Sequence, residues 1–372
     1  MKLVVFGLTI TSSWGNGHAT LLRGLFRALH RRGHRVVFFE RDVNYYASHR
    51  DLWGLPGVQI ELYCDWTAVE QTAAAALSDA DVGMVTSYCP DGVAASELLF
   101  SSNAPLRIFY DLDTPVTLDK LAAGESLNYI HPSGLGGFDL VLSFTGGIAL
   151  QELQHRLGAR RVAPLYGSVD PEAHRSISEP GPVKFDLSYL GTYAKDRQSA
   201  LQELFINAAA RLPERRFVIG GAGYPQNFPW GPNIFFKRHL EPGQHSRFYC
   251  SSRLTLNVTR AAMARMGYCP SGRLFEAAAC GVPIISDEWE GLEQFFEPGK
   301  EILLARSAED TIEALNSSDE ELLRIARASR QRVLDTCTAD HRAIEFENEV
   351  VSAGSRTRLV QMSAQTQHSF EA

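Results

Sequence analysis

Three short stretches of this 372-residue chain put chemically capable side chains where an apolar run ends. SSWGNGHAT, Ser12 to Thr20, sets His18 just inside a helix start, behind a turn made by Trp14, Gly15, Asn16 and Gly17. A histidine there can take a proton from a hydroxyl or donate to an oxyanion. The alternative is a polar turn residue facing solvent. FYDLDTPVTL sets Asp111 and Asp113 at the carboxyl end of a strand, where alternate side chains share a side. Such a pair suits holding or deprotonating a hydroxylated compound. It makes a poor magnesium site unless phosphates complete it, because no third ligand stands nearby. Asp113 also suits a turn or a helix cap. SFTGG, with Thr145 and Gly146, is another strand-to-helix turn, able to hydrogen-bond a polar ligand or serving only as a turn.

The fourth stretch, SGRLFEAAACGVP, reads as a helix with Ser271 as N-cap and Gly281 as its stop before Pro283. Glu276 lies one to two turns in and can accept from both hydroxyls of a ribose. Arg273, with Arg260 of the preceding NVTR, suits neutralising a diphosphate. The alternative, a surface Arg–Glu pair, contributes under about 1 kcal/mol. The helix is alanine-rich and lies between apolar strands, which argues for burial. SSWGNGHAT also approaches the dinucleotide fingerprint G-x-G-x-x-G, with Glu40 as the ribose partner, but Thr20 stands where the last glycine or alanine belongs.

The elements around these stretches alternate strand and helix. LVVF, HRVVFFE, GMVTSY, LRIFYDLD and FDLVLSF are apolar in the manner of buried parallel strands, and ATLLRGLFRALHRRG is a helix ending at Gly33. The pattern predicts an α/β doubly wound domain over residues 1–175 and a linker over 176–184, SISEPGPVK. It restarts as a second α/β domain over 185–335, with DLSYLG, RRFVIGG, NIFFKRH, RLTLNVT and VPIISD as strands. The polar stretch 352–372 is expected to be disordered. Two such domains about a hinge leave a cleft at the carboxyl ends of their strands.

Bulk composition narrows the classes. A net charge of −7 gives no general attraction to nucleic acid or anionic lipid, so phosphate must be met by a few placed arginines and amides. The six cysteines form no C-x-x-C pair, which suits reduced thiols and a cytoplasmic location. No stretch has the roughly 20 apolar residues of a membrane span.

SRLTLNVTRAAMARMGYCPSGRLFEAAACGVPIISD, together with YLGTYAKDRQ, SSWGNGHAT, ERDVNYYASHRDL, FYDLDTPVTL and LSFTGG, resembles the CgeB-like bacterial glycosyltransferases from about Met1 to Val350. The resemblance implies a GT-B fold of two Rossmann-like domains, with the acceptor mainly in the first and the nucleotide sugar in the second. It further implies a C-terminal helix, 336–351, crossing back to the first domain. It casts Gly191, Thr192 and Tyr193 as the turn facing the diphosphate, with Arg197 adding charge, and Gly221 in the next turn, near base or ribose. Glu276 would hold the donor ribose. Many retaining GT-B enzymes carry an acidic residue eight positions earlier; Tyr268 stands there, which puts retention in doubt.

The expected activity is transfer of a sugar from a nucleotide diphosphate sugar, a UDP-sugar foremost, to a hydroxylated acceptor: a glycan, a small molecule or a protein. His18, Asp111 or Asp113 would be the base, and neither a cofactor nor a metal is expected. The alternatives are an NDP-sugar epimerase, a nicotinamide-dependent oxidoreductase, or a silent sugar- or nucleotide-binding protein.

Overall fold

Why the first half folds as a sheet follows from its strands, which are apolar on both faces and so need cover on both. In the computed structural model, which describes residues 1–177 and 182–368 (side chains to 354), these strands pair in parallel. They are β1 (Lys2–Gly7), β2 (Arg35–Arg41), β3 (Val58–Tyr63), β4 (Val82–Thr86), β5 (Leu106–Asp111), β6 (Leu140–Ser143) and β7 (Val162–Pro164). Their spatial order is β3-β2-β1-β4-β5-β6-β7, so the direction of winding reverses between β1 and β4. Phe6, Phe26, Phe38, Phe39 and Phe109 are fully buried against this sheet. Each contributes about 1.5–3 kcal/mol relative to exposure.

The second sheet repeats the scheme with β8 (Phe185–Leu190), β9 (Phe217–Gly220), β10 (Ile234–Lys237), β11 (Ser252–Asn257), β12 (Ile284–Ser286) and β13 (Leu303–Leu304). Its order is β10-β9-β8-β11-β12-β13, again parallel, with the reversal between β8 and β11. This is the GT-B architecture: two parallel, Rossmann-like α/β domains facing a cleft. Ligands bind such sheets at the crevice where winding reverses.

The chain crosses between the sheets twice, side by side. Val169 donates its N–H to the Cys337 carbonyl at 3.0 Å, and Ala339 donates back to Val169 at 2.8 Å. The centre of the expected 176–184 linker, residues 178–181, lies outside the described residues.

Three strands were not expected from sequence. β3 is a half-exposed edge strand with alternating polar residues, while β7 and β13 are only 3 and 2 residues long. The C-terminal helix also differs from expectation: it runs from Ala339 to His368, well past 351. Leu, Met, Gln, Arg and Ala in RLVQMSAQTQ are good helix formers, and no proline interrupts them, so the helix propagates through this stretch. The expected disorder over 352–372 is therefore replaced by helix as far as His368, and residues 369–372 lie outside the described residues. Ala339, Ala343, Phe346 and Val350 pack into the first domain's core beside Leu22, Leu25 and Phe26. Arg32 pairs with Glu347 at 2.6 Å at the edge of this seam.

Candidate functional site

The cleft between the two sheets holds a cavity of about 460 Å³. Its first-domain wall is built at the winding reversal, from the loops after β1, β4 and β5. Asn16 N-caps the Gly17–Arg31 helix by accepting from the His18 N–H at 3.1 Å, which fixes the histidine at the cavity edge. The loop before it is held by Glu40, whose carboxylate accepts from the N–H groups of Ile10 and Thr11 and the hydroxyls of Thr9 and Thr11. Glu40 is buried and wholly occupied there, so the ribose role it would have in a dinucleotide site is excluded.

Asp113 is the anionic centre of this first-domain wall. Its Oδ2 accepts from the Tyr88 hydroxyl at 2.7 Å and lies 3.7 Å from His18 Nε2 and 3.8 Å from Arg260 Nη1. It sits at the N-cap of the Thr114–Ala122 helix without capping it, so the carboxylate is turned to the cleft. Tyr88 has a φ of 66°, a strained value for a tyrosine. That conformation sets its ring beside both His18 and Tyr129. Burial pulls His18 below the ordinary histidine range; Asp113 opposes that shift and Arg260 adds to it. The ring is thus neutral near pH 7.

Asp111 does not share this position. It is fully buried behind Asp113, accepts from the Asp113 N–H at 3.0 Å and the Thr117 hydroxyl at 3.1 Å, and burial pushes its carboxyl up to about 6. The expectation that both aspartates face the ligand is corrected: Asp111 positions Asp113. The acceptor-side expectation is corrected as well. Gly15, Asn16 and Gly17 line the cavity, but Trp14 is stacked on His49 at 3.8 Å and packed on His239, away from it. Thr145 is buried, and Gly146 donates its N–H to the Tyr268 carbonyl across the domain boundary at 2.9 Å. Gly146 thus serves the seam between domains, while Thr145 bonds Ser143 of its own turn.

The second-domain wall consists of the loops after β8, β9 and β11 and the start of the Gly272–Ala279 helix. Gly191, Thr192 and Tyr193 line it, bridged to the next turn by Gly191 N–H to Gly220 O and Tyr193 N–H to Ala222 O, each 2.8 Å. Gly221 has a φ of 149°, and a Cβ there would lie 2.0 Å from the Gly191 carbonyl oxygen; only glycine fits. Arg197 donates from Nη1 to Thr192 O at 3.2 Å, while its Nε is buried with no protein partner among the described residues. Ser271 lines the cavity at the helix start, its hydroxyl uncommitted to capping. Arg260 pairs with Asp196 at 3.1 Å and reaches towards Asp113 across the cleft.

Arg273 and Glu276 do not pair with each other. Arg273 is buried, donating from Nη1 to Asn257 Oδ1 at 2.7 Å and from Nε to the Leu190 carbonyl, with its guanidinium over the Tyr189 ring. Glu276 faces the cavity with Oε2 3.2 Å from the Tyr249 hydroxyl and 3.5 Å from His245 Nδ1, and Oε1 3.8 Å from His174 Nε2. Burial opposes its ionisation, but His174, His245 and Tyr249 outweigh that and hold the carboxyl down at about 2. The surface-pair alternative is excluded by both sets of contacts.

Tyr268, at the position where an acidic residue was absent from the motif, has its ring wedged between two glycines. A Cβ at Gly147 or at Gly291 would come within 2.4 Å of it. The functional residues that the sequence reading missed are Tyr88, Tyr249, His174 and His245. None has a signal in spacing, since a tyrosine at positive φ and histidines 71 residues apart become neighbours only in the fold.

Residues 197–348 match the family model described as "Glycosyl transferase-like". No curated protein matches the sequence significantly. Among solved structures, the chain is similar to sucrose-phosphate synthase from Thermosynechococcus elongatus, with a TM-score of 0.67 and 13% identity over 96% of this chain and 100% of that one. It is also similar to HepE from Anabaena in complex with UDP and glucose, with a TM-score of 0.68 and 12% identity over 95% and 100%. A third likeness is to the catalytic domain of starch synthase IV from Arabidopsis thaliana bound to ADP and acarbose, with a TM-score of 0.67 and 12% identity over 95% and 99%. The second half of the chain thus carries a glycosyltransferase-type domain, and the whole chain has the GT-B fold. Among the described residues no helix is long and apolar enough to cross a membrane.

Proposed function

We propose that the chain is a glycosyltransferase that moves a sugar from a nucleoside diphosphate sugar to a hydroxylated acceptor. The observation that carries this reading is the division of the cavity. A neutral histidine lies beside a carboxylate on one wall, and on the other, glycine-shaped wall the Arg260 guanidinium reaches to 3.8 Å from that carboxylate across the cleft. UDP and UDP-glucose are bound by one of the similar structures and ADP by another, so a UDP-sugar is the first donor to try.

The nucleotide sits on the second wall. Glu276 accepts from the ribose hydroxyls, while Arg197, Arg260, the free amides of the Gly272–Ala279 helix start and the Gly191–Thr192 turn receive the diphosphate. Arg273 holds the carboxyl end of β8 in place behind them. The acceptor hydroxyl loses its proton to His18, and its oxygen bonds to the anomeric carbon. The bond from that carbon to the diphosphate breaks, and the electron pair leaves with the phosphate, where the arginines meet the charge. Asp113 holds the imidazolium that forms. Closure of the two domains excludes water, so transfer outruns hydrolysis.

Tyr268 offers no carboxylate to the sugar, which favours inversion of configuration; the anomeric configuration of the product reads this directly. The finer family, the CgeB-like enzymes, rests on the sequence stretches quoted above, and a cytoplasmic location on the unpaired cysteines. The test is nucleoside diphosphate release across a panel of nucleotide sugars, with and without hydroxylated acceptors. Release that depends on acceptor is expected. Interconversion of free nucleotide sugars without acceptor overturns the reading in favour of an epimerase.

A further inference from the structure

His174, His245 and Glu276 come from three separate parts of the chain: the segment after β7, the Pro242–Cys250 helix and the Gly272–Ala279 helix. Their potential ligand atoms converge. His174 Nε2 lies 3.3 Å from His245 Nδ1 and 3.8 Å from Glu276 Oε1, and His245 Nδ1 lies 3.5 Å from Glu276 Oε2. A tetrahedral zinc ion with ligands at about 2.0–2.1 Å keeps them roughly 3.3–3.4 Å apart. One ligand atom from each of the three residues lies within 4.8 Å of the other two, close enough for small side-chain shifts to bring them onto one ion.

The surroundings orient the His245 ring as a ligand needs, whereas His174 Nδ1 is buried with no protein partner among the described residues. His245 Nε2 is 3.1 Å from the Leu240 carbonyl, which can only accept. Nε2 therefore holds a proton, and Nδ1 is the ring nitrogen left to face an ion, the second-sphere arrangement that orients metal-bound histidines. Ser246 ties the two segments together by donating its hydroxyl to Ala173 O at 3.3 Å and receiving the Arg175 N–H at 3.2 Å. His174 is 1% exposed, whereas His245 and Glu276 border the cavity, so the fourth position opens onto the cleft.

We propose that His174, His245 and Glu276 bind one divalent transition-metal ion of the zinc type, at the nucleotide end of the cleft. Because the same carboxylate is assigned above to the donor ribose, the ion and the nucleotide compete for it; this second part rests on the proposed function.

The test uses the full chain, stripped with chelator and dialysed against zinc or cobalt(II). One equivalent of metal is expected, and cobalt should give the absorption of a tetrahedral nitrogen- and oxygen-ligated site without thiolate charge transfer. His174→Gln and His245→Gln should each weaken zinc binding by more than about 100-fold, exceeding the 10–100-fold that second-sphere changes cost. A chain that retains no zinc, or a cobalt spectrum dominated by thiolate, overturns the site without recourse to any variant. Retention of one equivalent by both variants does so too. UDP titrations with and without bound zinc separate the two proposals. Zinc should weaken UDP. If zinc binds at this site and UDP affinity is unchanged, the metal site stands and the ribose role of Glu276 falls. If UDP binds and zinc does not, the metal site falls alone.

Discussion

The two walls of the cleft are built on the same plan, yet they differ in how far their polar groups are committed. On the first-domain wall, His18 makes no bond shorter than 3.7 Å through its ring nitrogens to a carboxylate, and Asp113 has one oxygen facing three neighbours. On the second-domain wall, Arg273 is clamped by Asn257 and the Leu190 carbonyl, and Gly221 admits no side chain. Loose groups can change protonation and partner during a reaction; clamped ones hold shape. Substitutions on the first wall should therefore change rates, and those on the second should change folding and donor binding.

The largest effect should come from the clamped wall. Arg273→Met strands two buried acceptors, at about 1–3 kcal/mol each, so a loss of roughly 2–6 kcal/mol is expected in urea unfolding, with donor binding lost alongside. Unaltered stability would break the contrast between the walls. His18→Ala comes next: transfer should fall by about 100-fold or more while unfolding and UDP binding stay near wild type. A normal rate would hand the base to Asp113.

The pH profile sharpens the same point. Burial lowers the His18 value, so its neutral form persists as pH falls, and the acid limb of kcat/KM should lie below the ordinary histidine value of about 6.5. Asp113→Asn removes the attraction that retains the proton and should shift the limb lower; Arg260→Ala should shift it higher. A limb that rises in Asp113→Asn or falls in Arg260→Ala would detach it from His18.

The smallest effect concerns Asp111. Its carboxyl is raised to about 6 by burial, so the protonated form stabilises the fold, and that contribution is lost as pH rises through about 6. Asp111→Asn should flatten the fall in melting temperature between about pH 4 and 6, with a modest change in rate. A rate loss matching that of His18→Ala would place Asp111 at the reacting atoms after all.

What was legible in sequence was set by local rules. Apolar strand runs, the glycine-rich turns and the Ser271–Pro283 helix follow from periodicity and capping, and they led to both sheets and to the cleft. Asp111 and Asp113 look equivalent in FYDLDTPVTL, and only packing shows that one is buried and the other open. Thr145 reads as ligand-facing because a turn does not reveal what will lie against it. The His174–His245–Glu276 cluster had no local trace, since its members come from the segment after β7 and from two separate helices of the second domain. β3 and the extended C-terminal helix were missed because neither carries a strong apolar pattern.

The account's central claim is that the donor nucleotide sits on the clamped wall and the transfer chemistry on the loose one. Hydrogen exchange on the full chain, with and without saturating UDP, tests it most directly. Protection is expected at residues 191–197, 221–224 and 271–276, with residues 12–20 changing only when a UDP-sugar replaces UDP. Protection confined to residues 12–20, with none at 271–276, would contradict the assignment and return the nucleotide to the first domain.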